Sequence, residues 1–248
     1  MVYIIAEAGV NHNGKLDLAL QLVNIAKESG ADAIKFQTFK AIKLASKEAD
    51  KAQYQKESTD SNESQVDMLK KLELSYDEFR QVKEYCIKRE IEFISTPFDL
   101  ESADFLNELN VSTYKIGSGD LTNYPLLRKV AQTGKKMILS TGMSNMDEVE
   151  NSVKYVLNNG CKELVVLHCI SNYPTKNEDL NLNAIKTMKE KLASIKSDIE
   201  IGFSDHTEGI DASVYSVCTG ATFIEKHFTI DKNMNGPDHR SSLNPDEL

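Results

Sequence analysis

The sequence predicts an α/β protein built as a TIM (β/α)8 barrel with a truncated last helix, and three observations predict it. Eight short apolar runs recur along 248 residues, amphipathic stretches of helical period separate them, and nearly every run ends in polar side chains. A barrel of this kind takes about 250 residues. A doubly wound open sheet is the alternative that the pattern alone leaves open.

The runs begin with YIIAEAG at 3–9, AIKFQTF at 33–39, IEFISTP at 91–97 and TYKIGSG at 113–119. KMILSTG at 136–142, ELVVLHC at 163–169, EIGFSDH at 200–206 and TFIEKHF at 222–228 complete the set. Several hold three or more apolar residues in succession, which suits parallel strands covered by helices.

Between them, Leu18, Leu22 and Ile25 mark one helix, and Phe79, Val82 and Cys86 another. Leu126, Leu127 and Val130 mark a third, with Pro125 near its start, where a missing N–H costs little. Val149, Val153 and Val156 line the next, then Ile185, Met188 and Leu192; the segment 208–220 is a short, small-residue-rich helix candidate. Residues 41–75 break the rhythm as a charged insertion containing AQYQKE and ESQVDMLKKLEL. It reads as a long second βα loop with helical pieces, serving either substrate contacts or as a solvated decoration. After the eighth run comes DKNMNGPDHRSSLNPDEL, where the closing helix would only begin near Pro245, so a fragment is expected.

Composition narrows the function. With 40% hydrophobic residues the chain can bury a sizeable core, and 29 Lys and Arg against 38 Asp and Glu leave a net charge of -9. That surface carries no broad footprint for nucleic acid or an anionic membrane. The start, MVYIIAEAGV, lacks a basic region and meets Glu7 early, so it is neither signal peptide nor membrane span. Cys86, Cys161, Cys169 and Cys218 are dispersed without a CxxC pair, which points to a reducing, cytoplasmic location.

The strand ends carry the chemistry. Lys35 and Lys115 sit inside apolar runs, where a lysine is costly unless it is paired or meets a ligand. They suit a phosphate or carboxylate; ion pairing with Glu7 or Glu225 and Schiff-base chemistry are the alternatives. His206 and His227 end the last two strands, where they can converge on one transition-metal ion. Alternation puts Lys35 with Gln37, and Glu225 with His227, while Lys226 points the other way. GVNHNG at 9–14 is a turn suited to an anion, with His12 either facing the site or capping the turn. Tyr173 covers a sugar ring or simply packs.

At these residues the chain resembles the sialic acid synthase family. The stretches that carry the resemblance are AEAGVNHNG from Ala6, IKFQTF from Ile34, STPFD from Ser95 and KIGSGDLTNYPLL from Lys115. ILSTGMS from Ile138, NYPT from Asn172, GFSDHT from Gly202 and IEKHFTIDKNMNGPDH from Ile224 continue it, in order, over essentially the whole chain. The resemblance implies a barrel enzyme that condenses phosphoenolpyruvate with an N-acetylated amino sugar, using a divalent metal, typically Mn2+. It implies His206 and His227 as metal ligands, and Lys35 and Lys115 as phosphoenolpyruvate contacts helped by Thr96 and Ser204. Glu7 resembles the catalytic carboxylate, and Gln37, Tyr173 and Asp238 resemble sugar-side contacts, Asp238 counting with the catalytic set. Ser118, Ser140 and Ser171 complete the expected substrate-binding residues, although several relatives have Asn at the position of Ser171.

N-acetylmannosamine is the default acceptor, and diacetamido-trideoxyhexoses giving legionaminic or pseudaminic acids are alternatives. Family members also carry an antifreeze-like C-terminal domain that delivers an arginine to the partner subunit. Residues 1–248 are therefore expected to be the catalytic barrel without it, homodimeric where that domain is present. A Schiff-base aldolase and a noncatalytic sugar-phosphate-binding barrel are the rival readings.

Overall fold

The computed structural model describes residues 1–46, 49, 51 and 63–248, so AQYQKE at 52–57 lies outside the described residues. Eight parallel strands close into a barrel in sequence order, which excludes the open sheet. They are β1 (Tyr3–Gly9), β2 (Ala33–Thr38), β3 (Glu92–Pro97), β4 (Thr113–Ile116), β5 (Lys136–Ser140), β6 (Leu164–Cys169), β7 (Glu200–Asp205) and β8 (Phe223–His227). The described helices begin with α1 (Leu16–Glu28), α2 (Ala41–Leu44), α3 (Gln65–Leu72), α4 (Tyr76–Lys88) and α5 (Leu100–Glu108). They continue with α6 (Tyr124–Ala131), α7 (Met146–Asn158), α8 (Asn183–Ala193) and α9 (Asp211–Cys218). None is long and apolar enough to cross a membrane. All four cysteines are free.

The chain divides into two compact units. The first is Met1–Ile5 with Asn110–Lys226, and the second is Ala6–Leu109 with His227–Leu248. In the first, register sets Lys115 beside Ile138, Cys169 beside Ser204, and Ser204 beside Glu225. Residues in register project to one face, so the polar strand ends gather there. The opposite face buries the predicted stripes, Val149, Val153 and Val156 of α7 and Ile185, Met188 and Leu192 of α8.

In the second unit, Lys35 lies beside Ile94 and Gln37 beside Thr96. Phe36 faces the other way, with its ring centroid 5.8 Å from Phe93 and 6.4 Å from Phe79 of α4. A Ser75–Glu78 capping box starts α4. Among the described residues the insertion after β2 is helical at α2 and α3, which share a small core of Val10, Phe39, Ala41, Met68, Leu69 and Leu72. Its ends are joined, since Ala41 N–H donates to Glu73 at 2.9 Å and the Lys40 ammonium pairs with Glu73 at 3.4 Å. Gly14 has φ +67°, and a Cβ there would lie 2.1 Å from the Lys71 carbonyl oxygen. Only glycine lets the turn after β1 approach the end of α3. Beyond β8, Thr229 and Leu243 pair backbone to backbone at 2.9 Å. The described residues there hold a 3-10 turn, His239–Ser241, and no α-helix.

Candidate active site

Two clusters of buried polar side chains form at the strand ends, one in each unit. In the second unit the Lys35 ammonium pairs with Glu7 at 2.7 Å and reaches Thr96 Oγ1 at 3.4 Å. Gln37 Nε2 donates to the other Glu7 oxygen at 3.4 Å. Gly9 lies among them at φ +52°, where a Cβ would stand 3.3 Å from Glu7 Oε1 and 3.6 Å from His227 Cε1. The structure thus gathers Glu7, Lys35, Gln37, Thr96 and His227. It places Asp238 at the head of the turn after β8, where its carbonyl accepts from Ser242 Oγ at 2.7 Å.

In the first unit Lys115 pairs with Glu225 at 3.3 Å, and Ser204 Oγ donates to the same carboxylate oxygen at 2.9 Å. Both lysines are about 97% buried, and carboxylates in direct contact offset the cost of removing them from water. Ser140 Oγ is buried and makes no hydrogen bond among the described residues, the state expected of a hydroxyl that serves a ligand. Ser118 Oγ instead accepts from Gly142 N–H at 2.9 Å, and Ser171 packs over the same glycine.

His206 is held by the loop after β6. Its Nδ1 lies 2.6 Å from the Ile170 carbonyl oxygen, and its Nε2 lies 2.9 Å from the Tyr173 hydroxyl and 3.4 Å from Ser204 Oγ. A carbonyl only accepts, so in the neutral ring the proton is on Nδ1 and the Nε2 lone pair faces the cluster. Burial opposes charge on this imidazole, but Cys169 Sγ at 3.7 Å, the Ile170 carbonyl and the Glu225 carboxylate together outweigh it and raise the pKa above the usual value. A histidine fixed through one nitrogen to a backbone carbonyl has its other nitrogen presented for a metal, and this donor set fits one. No group of three or more His, Cys, Asp or Glu side chains suited to a metal occurs among the described residues.

Three histidines lie elsewhere. His12 Nδ1 accepts from Gly14 N–H at 3.1 Å, so it caps the turn, and burial holds its pKa down at about 4. Burial likewise pushes His239 down to about 4, with Thr229 Oγ1 2.6 Å from its Nδ1. His168 meets the Leu180 carbonyl oxygen at 2.8 Å, and burial lowers its pKa.

Sequence reasoning missed a buried pair beneath the site. Asp205 meets Lys226 at 3.1 Å and also accepts from Ser213 and from the N–H and hydroxyl of Thr207. Each partner is the chain neighbour of a candidate metal ligand, and the signal was a charge inside an apolar strand one position away from each histidine.

A closed parallel barrel with buried lysine–carboxylate pairs and an oriented imidazole at its strand ends has the make-up of a barrel enzyme. The chain belongs to the NeuB family, whose family model matches residues 22–248. It is 49% identical to the N,N'-diacetyllegionaminic acid synthase of Campylobacter jejuni, covering 99% of this chain and 72% of that protein. It is 47% identical to the N,N'-diacetyllegionaminic acid synthase of Legionella pneumophila, covering 99% and 69%. The crystal structure of N-acetylneuraminic acid (sialic acid) synthetase from Leptospira borgpetersenii, in complex with citrate, superposes with a TM-score of 0.86 at 37% identity, covering 99% and 79%.

Proposed function

We propose that this chain is the barrel of a phosphoenolpyruvate-dependent, carbon–carbon bond-forming synthase whose acceptor is a diacetamido hexose leading to N,N'-diacetyllegionaminic acid. The observation that carries the reading is the pairing of each barrel lysine with one carboxylate, Lys35 with Glu7 and Lys115 with Glu225. Phosphoenolpyruvate brings a phosphate and a carboxylate, so it can take over as counter-ion without leaving an ammonium uncompensated. Thr96, Ser140 and Ser204 supply hydroxyls beside the lysines, and Gln37, Tyr173, Asp238, Ser118 and Ser171 serve the acceptor.

In the reaction C3 of phosphoenolpyruvate bonds to the aldehyde carbon of the open-chain sugar. Water adds at C2, and the C2–O bond to phosphate breaks. Glu7 stabilises positive charge at C2 or orients that water, while Lys35 and Lys115 balance the phosphate charge. A divalent cation, manganese by the resemblance, supplies Lewis-acid polarisation of the aldehyde when bound to His206 and His227. A Schiff-base aldolase is the poorer fit, because it needs an unprotonated lysine whereas a carboxylate 3.3 Å from Lys115 suits an ammonium.

The acceptor order differs from the default that put N-acetylmannosamine first. The two legionaminic acid synthases are 49% and 47% identical to this chain, against 37% for the sialic acid synthetase, which supports the diacetamido sugar. Phosphate release with phosphoenolpyruvate, Mn2+ and each of three sugars tests both levels. The highest kcat/KM is expected with the diacetamido sugar of legionaminic acid. A higher value with N-acetylmannosamine, or with the diacetamido sugar of pseudaminic acid, would reassign the acceptor; no release with any of them would remove the synthase reading.

A further inference from the structure

The loop after β6 grips residue 206 at three points. The Ile170 carbonyl oxygen takes the Nδ1 proton, the Tyr173 hydroxyl meets Nε2, and Thr175 N–H donates to the His206 carbonyl at 2.8 Å. Thr175 also braces the loop from within, its hydroxyl donating to the Asn172 carbonyl at 2.8 Å. The Tyr173 ring lies against the imidazole, centroids 4.0 Å apart. With the Nδ1 proton committed to Ile170, the Tyr173 O–H is the donor to the one lone pair that a metal can use.

We propose that the Tyr173 hydroxyl and a divalent cation compete for Nε2 of His206, so that cation binding releases this hydroxyl to hydrogen-bond the acceptor sugar. The inference rests on the metal-dependent reading above and adds an order to it, cation before acceptor. A lone pair serves one partner at a time. Before the cation arrives, the hydrogen bond to Tyr173 keeps Nε2 satisfied in a buried setting, where an unsatisfied nitrogen is costly. Once the cation takes the lone pair, the phenol loses this acceptor, and an acetamido carbonyl or a sugar hydroxyl can replace it. Tyr173 is then a positioning residue for cation binding as well as a substrate contact, and one hydroxyl couples two ligands.

Three calorimetric titrations with Mn2+, at a pH of about 8.5 where an ordinary imidazole is neutral, test the idea on wild type, Tyr173→Phe and His206→Asn. Phenylalanine keeps the ring and removes the competitor, so Mn2+ is expected to bind Tyr173→Phe roughly fivefold more tightly, the fold-change of one modest hydrogen bond. His206→Asn is expected to lose binding. Acceptor affinity should rise on adding Mn2+ in wild type, and by less in Tyr173→Phe. Equal or weaker Mn2+ binding by Tyr173→Phe, with binding lost in His206→Asn, overturns the competition and leaves the metal site standing. Undiminished Mn2+ binding by His206→Asn overturns both. Should Tyr173→Phe fail to fold, the tyrosine ultraviolet difference spectrum of wild type on adding Mn2+ decides. A change of phenol hydrogen bonding is expected, and a flat difference spectrum overturns the proposal.

Discussion

The two lysine–carboxylate pairs look alike in sequence and are held differently. Glu7 meets Lys35 at 2.7 Å and accepts from the Gln37 amide at 3.4 Å. Glu225 meets Lys115 at the longer distance of 3.3 Å and takes a Ser204 hydroxyl at 2.9 Å. Of these contacts the shortest to Glu7 comes from an ammonium, whereas the shortest to Glu225 comes from a neighbour that carries no charge. On the proposed reading, a ligand anion that draws Lys35 away removes the shortest of these contacts to the carboxylate assigned to the reacting centre. The same event at Lys115 would leave the Ser204 contact to Glu225 intact.

That contrast breaks most visibly at Lys35. Lys35→Met strands a buried carboxylate, and a loss of about 3–5 kcal/mol in urea unfolding is expected, with activity reduced by orders of magnitude. Lys115→Met should cost less, about 2–3 kcal/mol, because Ser204 still serves Glu225. Equal losses in the two variants would show that the serine contributes nothing.

Acid separates the two units again. His12 belongs to the second unit, and its folded pKa of about 4 lies below the ordinary 6.5. The unfolded chain therefore binds the proton first, so stability is full above pH 6.5 and falls as pH drops toward 4. Between pH 7 and pH 5 His12 is expected to contribute a loss of roughly 1–2 kcal/mol. Hydrogen exchange should show protection fading earlier around residues 6–30 than in β5, and His12→Asn should flatten the trend. The smallest effect is expected from Ser204→Ala, about 1 kcal/mol in stability with a raised KM for phosphoenolpyruvate. An unchanged KM would confine that serine to an anchoring role.

Much of this was legible beforehand because strand chemistry is periodic. The eight runs became eight strands, and alternation put Lys35 with Gln37 and separated Lys226 from its neighbours Glu225 and His227. The choice of partner was not legible. Alternation says which face a lysine takes, but not whether Glu7 or Glu225 lies nearest, since that depends on barrel register. The clasp on His206 was hidden for a different reason. Ile170, Tyr173 and Thr175 lie in a loop, where no period relates position to direction, and the docking of α3 on Gly14 is a backbone contact that side-chain pattern does not reveal.

The insertion after β2 has a consequence for protein engineering. Its two ends are fastened at Glu73, which holds both Lys40 and Ala41, and α3 rests on Gly14 through the Lys71 carbonyl. A segment closed at its base and seated on a main-chain atom behaves as a cassette. Its length can change at little entropic cost, since loop closure depends only weakly on the number of residues. Its sequence can be exchanged while the barrel strands stay in register. A graft from a relative with another acceptor preference needs three host features kept, an acidic residue at 73, glycine at 14 and a residue other than proline at 41.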